Sequence, residues 1–429
     1  MIEKVRGFRD SFPEDMVPRQ RMFDIMRQTA NKFCFSPIDI PSLEYLELYK
    51  IKSGDELLTQ TFSFKDKGGR ELTLIPEATP SVVRMLTARK DIRKPVRWFC
   101  LPKLWRYEEP QSGRSREHTQ FNADIFGDES LYADAEIISL ACATLDKLGL
   151  CGTYKVRVNN RFLMEKILER VGIKQISKGY SLIDHFKKIS KEEFEKELMD
   201  LSDDKEMLLA LTELLGTEIK LSELDKQFPE TFKSGNEEII FRLMNTAKLV
   251  SKQTDAELVY DASVVRGLSY YTGIVFEGFD IKGEFRSIFG GGRYDNLCQL
   301  LSGTSMEAVG FGMGDAVLEL LLRRNNNWDA EMKNASIVFC ALSKEAIDIC
   351  YSLVKTVREY GYSTTVDTSM ASISNQLKKA GANGMGFAAI LGPKELEDKK
   401  ITIRNMKTGK QAVGSFQDLI QMMLELSEN

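Results

Sequence analysis

V-R-W-F-C-L-P-K-L-W-R-Y-E-E-P-Q-S-G-R-S-R-E-H-T-Q-F-N-A-D-I-F-G, residues 96–127, is the stretch from which the rest of the chain can be read. Two apolar, aromatic-rich runs flank a polar middle, residues 109–117, that holds Pro110, Gly113, Arg114 and Arg116. This is the pattern of two antiparallel strands joined by a charged loop. The loop is too long for a tight turn, and connections of that length tend to reach toward a ligand. Arg106 stands at a strand end, with Arg114 and Arg116 in the loop. A planar guanidinium holds phosphate or carboxylate oxygens two at a time, so the set suits such an anion; charge alone fits a solvated hairpin equally well.

Outward from this hairpin, composition narrows the classes. The chain has 429 residues, 43% of them hydrophobic, and 59 Lys and Arg against 63 Asp and Glu give a net charge of −4. That is the composition of an ordinary soluble protein with room for about three domains. No apolar run approaches a membrane span and residues 1–10 lack the apolar core of a signal peptide, so a cytoplasmic location with no membrane contact is expected. The seven cysteines form no C-x-x-C pair and read as reduced thiols, which excludes a disulfide framework or a cysteine zinc site. His118 and His185 are the only histidines, so no His-rich metal site exists and a Ser-His or Cys-His mechanism would have to use one of them. Catalysis by fixed charge is the remaining expectation. RNA stays possible, because local basic surface matters more than net charge; Arg84, Arg89, Lys90, Arg93, Lys94 and Arg97 crowd before the hairpin.

The elements follow from periodicity and punctuation. A helix opened by Pro18 carries Met22, Met26, Ala30 and Phe33 on one face and runs into a strand at residues 36–40, closed by Pro41. Residues 72–75 read as a strand ending in Pro76-Glu77-Ala78-Thr79, with Thr79 as the cap of a helix over residues 80–87. A carboxylate and a hydroxyl at that strand exit could also grip an ammonium group. Residues 131–148 predict an amphipathic helix and residues 153–159 a strand; residues 162–252, rich in Lys, Glu, Leu and Met, predict an all-helical insertion. Strand signals return at residues 257–265 and 270–280, then F-G-G-G-R-Y-D-N-L at residues 289–297, which is neither a Walker loop nor a dinucleotide fingerprint. Its glycines let backbone approach a flat ligand or bend a strand. A-V-G-F-G-M-G, residues 308–314, leads into a helix, a polar break falls at residues 323–327, and alternating strands and helices from residue 336 imply a small α/β unit with parallel strands.

W-R-Y-E-E-P-Q-S-G-R-S-R-E-H-T-Q-F, residues 105–121, resembles the second signature motif of class II aminoacyl-tRNA synthetases in the form carried by the histidyl-tRNA synthetase family. V-V-R-G-L-S-Y-Y-T-G, residues 264–273, resembles that family's histidine-specific block, and K-V-R-G-F-R-D, P-E-A-T and V-N-N-R at residues 4–10, 76–79 and 158–161 are similar to further family segments. The resemblance implies an α+β fold: a class II antiparallel sheet flanked by helices, a helical insertion and a C-terminal α/β anticodon-binding domain. It divides the chain into a catalytic domain in two parts, residues 1–161 and 253–325, an insertion at residues 162–252 and an anticodon-binding domain at residues 333–429. It also implies ATP-dependent, AMP-forming attachment of histidine to tRNA(His), magnesium carried by ATP, and a homodimer formed through the N-terminal helix and strand.

Residue by residue, the resemblance gives Arg106 and Arg266 the catalytic places on the α-phosphate, and Arg114 a place on the γ-phosphate. Glu77, Thr79 and Gln120 would hold the amino and carboxylate ends of histidine, Asp124 and Tyr271 its imidazole, with Tyr270 on the same wall. Four positions depart from the family: Phe8 where a smaller or more polar residue is usual, Asp124 where Glu is commoner, Ser269 where Asp is common, and Val317 where an ATP-binding arginine is usual. Either another cation, Arg116 or Arg293, replaces that last charge, or ATP binds in a modified way. The tRNA would meet the loop at residues 109–117 with its acceptor end and the C-terminal domain with its splayed anticodon. The rival readings are a non-catalytic regulatory subunit of ATP phosphoribosyltransferase, a prolyl or threonyl synthetase, and a bare nucleic-acid-binding module. The regulatory paralogue typically lacks the residue 264–273 block and the C-terminal domain, the prolyl and threonyl motifs lack that block in this form, and a bare binding module leaves the pocket carboxylates without a role.

Overall fold

Along residues 117–126 two sets of side chains alternate: His118, Gln120, Asn122 and Asp124 against Thr119, Phe121, Ala123 and Ile125. A period of two sends them to opposite faces of a strand, and the fold is arranged on those two faces. The computed structural model of the protein describes residues 2–50, 58–89, 91–265, 270–328 and 336–428. It divides into two units, residues 1–330 and 331–429.

In chain order the first unit has the strands β1 (Ser36–Pro37), β2 (Leu43–Tyr45), β3 (Ser63–Lys65), β4 (Glu71–Leu74), β5 (Val96–Cys100), β6 (Lys103–Trp105), β7 (Glu117–Phe126), β8 (Tyr154–Asn160), β9 (Glu218–Lys220), β10 (Glu257–Asp261), β11 (Ile274–Asp280), β12 (Phe289–Arg293) and β13 (Ala308–Gly314). Among the described residues ten of these make one sheet, ordered β1-β5-β7-β13-β12-β11-β8-β10-β9, with β6 continuing β5 along β7. Its ladders are antiparallel except β1 with β5 and β8 with β10. The strands β2, β4 and β3 form a separate antiparallel sheet.

One face of the large sheet is apolar and dry. Phe121, Ala123, Ile125, Phe276, Phe289 and Phe311 share a core with Ile137, Ile138, Ala141 and Leu145 of the helix Leu131–Lys147. Burying one such side chain contributes about 1.5–3 kcal/mol, so this face supplies much of the cohesion. The other face carries the polar set of β7 and is covered at one end by the helix Thr79–Thr87, through Ala78, Val82, Val83 and Leu86. The N-terminal segment is tied to the helix Asp315–Arg324: Arg9 reaches Asp315 at 3.1 Å and Arg19 reaches Glu319 at 2.7 Å.

Several elements differ from the sequence reading. The first helix spans Pro13–Lys32, because Pro13 serves as an N-terminal helix residue that needs no N–H partner, and Pro18 lies inside it. Strand β1 is only two residues long. Residues 162–252 are not wholly helical: Glu218–Lys220 adds an antiparallel edge strand to β10, and Thr217 with Ile219 gives the short β-branched alternation that a Lys, Glu and Leu-rich context hid. These residues also remain in the first unit, with Leu163, Phe194, Leu211 and Leu243 in the same core as Ile137 and Val158. The basic run before the hairpin is partly neutralised, since Arg84 pairs with Glu44 at 2.6 Å, Arg89 with Asp91 at 2.7 Å and Arg97 with Glu136 at 2.8 Å; Lys90 lies outside the described residues.

The second unit is a five-stranded sheet of β14 (Ser336–Ala341), β15 (Ser363–Asp367), β16 (Phe387–Leu391), β17 (Lys400–Asn405) and β18 (Gln411–Ser415), ordered β15-β14-β16-β17-β18. The first three are parallel; β17 and β18 extend them as an antiparallel hairpin. Ile337, Phe339, Val354 and Met423 pack on one face, Val338, Cys340, Ala380 and Ala388 on the other.

Candidate active site

The floor of the site follows from register. Asp124, Asn122 and Gln120 of β7 stand opposite Gly310, Gly312 and Gly314 of β13. Gly312 and Gly310 in turn face Gly290 and Gly292 of β12. The bare backbone is required: a Cβ on Gly310 would lie 2.0 Å from Asp124 Oδ1, and one on Gly312 would lie 2.7 Å from the Gln120 amide. The glycine-rich strands therefore make space for polar side chains lying flat on the sheet.

Two cavities abut on this floor. The smaller, about 50 Å³, is lined by Glu77, Thr79, Asn122, Tyr270, Tyr271 and Tyr294 with the backbone of Gly310 and Gly312. The larger, about 810 Å³, is lined by Arg106, Glu108, Arg114, His118, Lys188, Glu277, Arg286 and Val317, among others. Arg106, Gln120, Gly290 and Gly312 belong to both walls. An arginine and an amide thus stand where the two spaces meet.

The smaller cavity is built from buried polar groups. The Tyr270 hydroxyl donates to Glu77 Oε2 at 3.2 Å, and the Tyr49 hydroxyl donates to the Glu77 carbonyl at 3.1 Å. The rings of Tyr270 and Tyr271 are 5.1 Å apart, and those of Tyr270 and Tyr294 are 5.8 Å apart. The Tyr294 hydroxyl donates to Asp124 Oδ1. Asp124 is 2% exposed; burial pushes its carboxyl up to about 7, with the Tyr294 hydrogen bond opposing the rise. Asp124 itself is not in the cavity lining, whereas its register partner Gly310 and its hydrogen-bond partner Tyr294 are. Asn122 does line it, is 4% exposed, and its Oδ1 accepts no hydrogen bond among the described residues. A buried acceptor left without a donor costs about 1–3 kcal/mol, which a ligand that supplies the donor recovers.

The larger cavity is built from charge. Glu108 Oε2 lies 3.0 Å from Arg114 and Glu108 Oε1 lies 4.0 Å from Arg106, so one carboxylate spaces two guanidinium groups. Arg106 Nε donates to the Pro76 carbonyl at 2.8 Å, which aims the head at the boundary between the cavities. Burial, then the charges of Arg106 and Arg9, push His118 down to about 3, so it is neutral and adds no charge to the wall. Among the described residues no group of three or more His, Cys, Asp or Glu could hold a metal ion.

Of the residues expected from sequence, the structure brings Glu77, Thr79, Gln120, Tyr270 and Tyr271 to the smaller cavity and Arg106 and Arg114 to the larger. Thr79 is the first residue of its helix and not the cap, which is Ala78 and makes no side-chain cap bond. Arg266 and Ser269 lie outside the described residues. Neither arginine expected to stand in at Val317 faces the larger cavity. Arg293 is buried against Asp134 at 2.5 Å and the Asp128 carbonyl at 2.9 Å, and Arg116 stacks on Tyr107 at 3.9 Å and donates to the Glu108 carbonyl. The sequence reading missed Asn122, Tyr294, Arg286 and Lys188. The H-x-Q-x-N-x-D alternation would have found Asn122; nothing local marks Lys188, which comes from residues 162–252.

The sheet, its glycine floor and the paired cavities define the catalytic body of a class II aminoacyl-tRNA synthetase. The model of the histidyl-tRNA synthetase family matches residues 7–316, and that of the anticodon binding domain matches residues 336–426. The chain belongs to the histidyl-tRNA synthetase family. It is 46% identical over 422 residues to the histidine–tRNA ligase of Thermoplasma volcanium and 48% identical over 421 residues to that of Picrophilus torridus, each covering 98% of both chains. The crystal structure of histidyl-tRNA synthetase from a Nostoc species shares the fold with a TM-score of 0.85 at 20% identity, covering 99% of each chain. A Bacillus halodurans structure described as an ATP phosphoribosyltransferase regulatory subunit/histidyl-tRNA synthetase has a TM-score of 0.73 at 22% identity, over 91% of this chain and 98% of that one.

Proposed function

We propose that this chain activates L-histidine with ATP and transfers it to the 3′ end of tRNA(His). The observation that carries the reading is a pair of cavities joined at Arg106, one small and polar and one large and cationic, in a chain whose family is histidyl-tRNA synthetase. In the first step a histidine carboxylate oxygen bonds to the α-phosphorus, the bond from that phosphorus to the bridging oxygen breaks, and pyrophosphate leaves. In the second, the terminal ribose hydroxyl of the tRNA attacks the carbonyl and AMP leaves. The first step gathers negative charge at one phosphorus and needs no proton-transfer base, so fixed cations do the work.

Arg106 is assigned to the carboxylate and α-phosphate, opposite Arg266, and Arg114 to the distal phosphates. Glu77 and Thr79 take the ammonium group, Gln120 the carboxylate end, and Tyr271 and Asp124 the imidazole, Asp124 acting through the Tyr294 hydroxyl bonded to it, with Tyr270 beside them. The polar walls favour histidine because any smaller or apolar amino acid leaves their groups unpaired. Glu108 and Glu277 are carboxylates of the kind a magnesium ion riding on a triphosphate uses; the ion would neutralise charge on the departing pyrophosphate. A homodimer is supported by apolar side chains exposed in the N-terminal part, Phe12, Met16, Val17, Tyr45 and Phe64. Residues 162–252 are assigned to the acceptor arm, residues 333–429 to the anticodon, and the cytoplasm to the whole, where no described helix is long and apolar enough to cross a membrane. The anticodon-domain match also weighs against a regulatory subunit.

Exchange of radiolabelled pyrophosphate into ATP should depend on histidine. Equal exchange with proline or threonine, or none with any amino acid, overturns the reading.

A further inference from the structure

Val317 leaves the larger cavity with an uncharged wall where the family resemblance puts an arginine. It fills that place by packing on the loop: a Cβ on Gly113 would lie 3.2 Å from Val317 Cγ2. Across the same cavity stands Arg286, carried on the connection from β11 to β12. Unlike Arg114, which is held by Glu108 at 3.0 Å, Arg286 makes no hydrogen bond or ion pair among the described residues.

An exposed arginine on a turn is ordinarily just solvated. Arg286 is set apart by what it faces. Arg106, Arg114, Lys188 and Arg286 line the cavity against the two carboxylates Glu108 and Glu277. Partial burial lowers the Arg286 pKa, the Arg114 charge lowers it further, and Glu108 offsets only part of this. Like charges turned toward one space raise each other's energy, and a polyanion between them relieves it. Position then orders the contacts along a triphosphate. Arg106 lines both cavities and so meets the phosphate next to the amino acid, whereas Arg286 lines only the larger one and meets the far end.

We propose that Arg286 is the cation that positions the β- and γ-phosphates of ATP, in the role left open by Val317. This rests on the larger cavity being the ATP site. In histidine-dependent pyrophosphate exchange, R286A should raise KM for ATP on the order of 10- to 100-fold and leave KM for histidine within about twofold, as expected for loss of a charged contact to one substrate. Binding of AMP, which lacks the distal phosphates, should be unchanged in R286A. Adding V317R to R286A should recover most of the ATP KM, a rescue that a purely structural role of Arg286 does not explain. An unchanged KM for ATP in R286A, or a loss of AMP binding as large as the loss for ATP, overturns the proposal. Absence of histidine-dependent exchange in the unaltered protein instead overturns the ATP reading itself.

Discussion

The two cavities of the sheet face use opposite physics a few residues apart on the same strand. At one end of β7, His118 and Gln120 face a space of about 810 Å³ where charge is plentiful and exposed. At the other, Asn122 faces a space of about 50 Å³, with Glu77, Tyr270, Tyr271 and Tyr294 of its lining nine-tenths or more buried. In the first, binding comes from Coulomb attraction that water and salt weaken, so it is tolerant of exact geometry. In the second, dry groups count only when a ligand pairs them, so it discriminates. A synthetase needs both: ATP is abundant and must be held by its charge, whereas one amino acid must be told from nineteen others.

That contrast breaks most sharply at Arg106, the charged residue among those the cavities share. Arg106→Ala should lower histidine-dependent exchange on the order of 10³-fold, about 4 kcal/mol, and harm both substrates, measured by exchange kinetics across ATP and histidine concentrations. Asn122→Ala should act on one side only. It should raise KM for histidine roughly 10- to 100-fold, about 1–3 kcal/mol, with KM for ATP unchanged. The melting temperature of the free protein should not fall, because the substitution deletes a buried acceptor that has no donor; a structural residue would lose both.

The smallest effect concerns the buried carboxyl. The Asp124 pKa is raised to about 7 by burial, above the unfolded carboxylate value, so its protonated form stabilises the fold. That contribution is complete below about pH 4 and is lost as pH rises through about 7. Resistance of the unaltered protein to denaturant between these limits should fall with rising pH more steeply than that of Asp124→Asn, by up to about 1.4 kcal/mol per pH unit. Parallel slopes would mean that Asp124 is ionised throughout.

Much of this was legible in the sequence because strands advertise their faces. The alternation in residues 117–126, the P-E-A-T strand exit and the glycine runs each carry a local signal, and they meet in space as the motif order implies. What was not legible was long-range. Arg286 and Lys188 sit in segments that read as an ordinary turn and an ordinary helical region, and only the folded chain brings them to the cavity that Arg114 lines. The resemblance gives Asp124 a place at the imidazole, and its hydrogen bond from Tyr294 of the neighbouring loop is a long-range contact that no local pattern announces. Strand β9 was hidden because three residues in a Lys-rich segment are too few to show a period. The replacement for the charge missing at Val317 could not be ranked from sequence, since Arg116, Arg286 and Arg293 are chemically alike and only their partners differ.

A crystal structure with a non-hydrolysable histidyl-adenylate analogue tests the division of labour most directly. The account predicts the imidazole enclosed by Tyr270, Tyr271 and Tyr294, the amide of Asn122 bonded to the ligand, and the phosphorus within about 4 Å of the Arg106 guanidinium. An analogue whose phosphorus lies away from Arg106, or whose ring occupies the larger cavity, would contradict it.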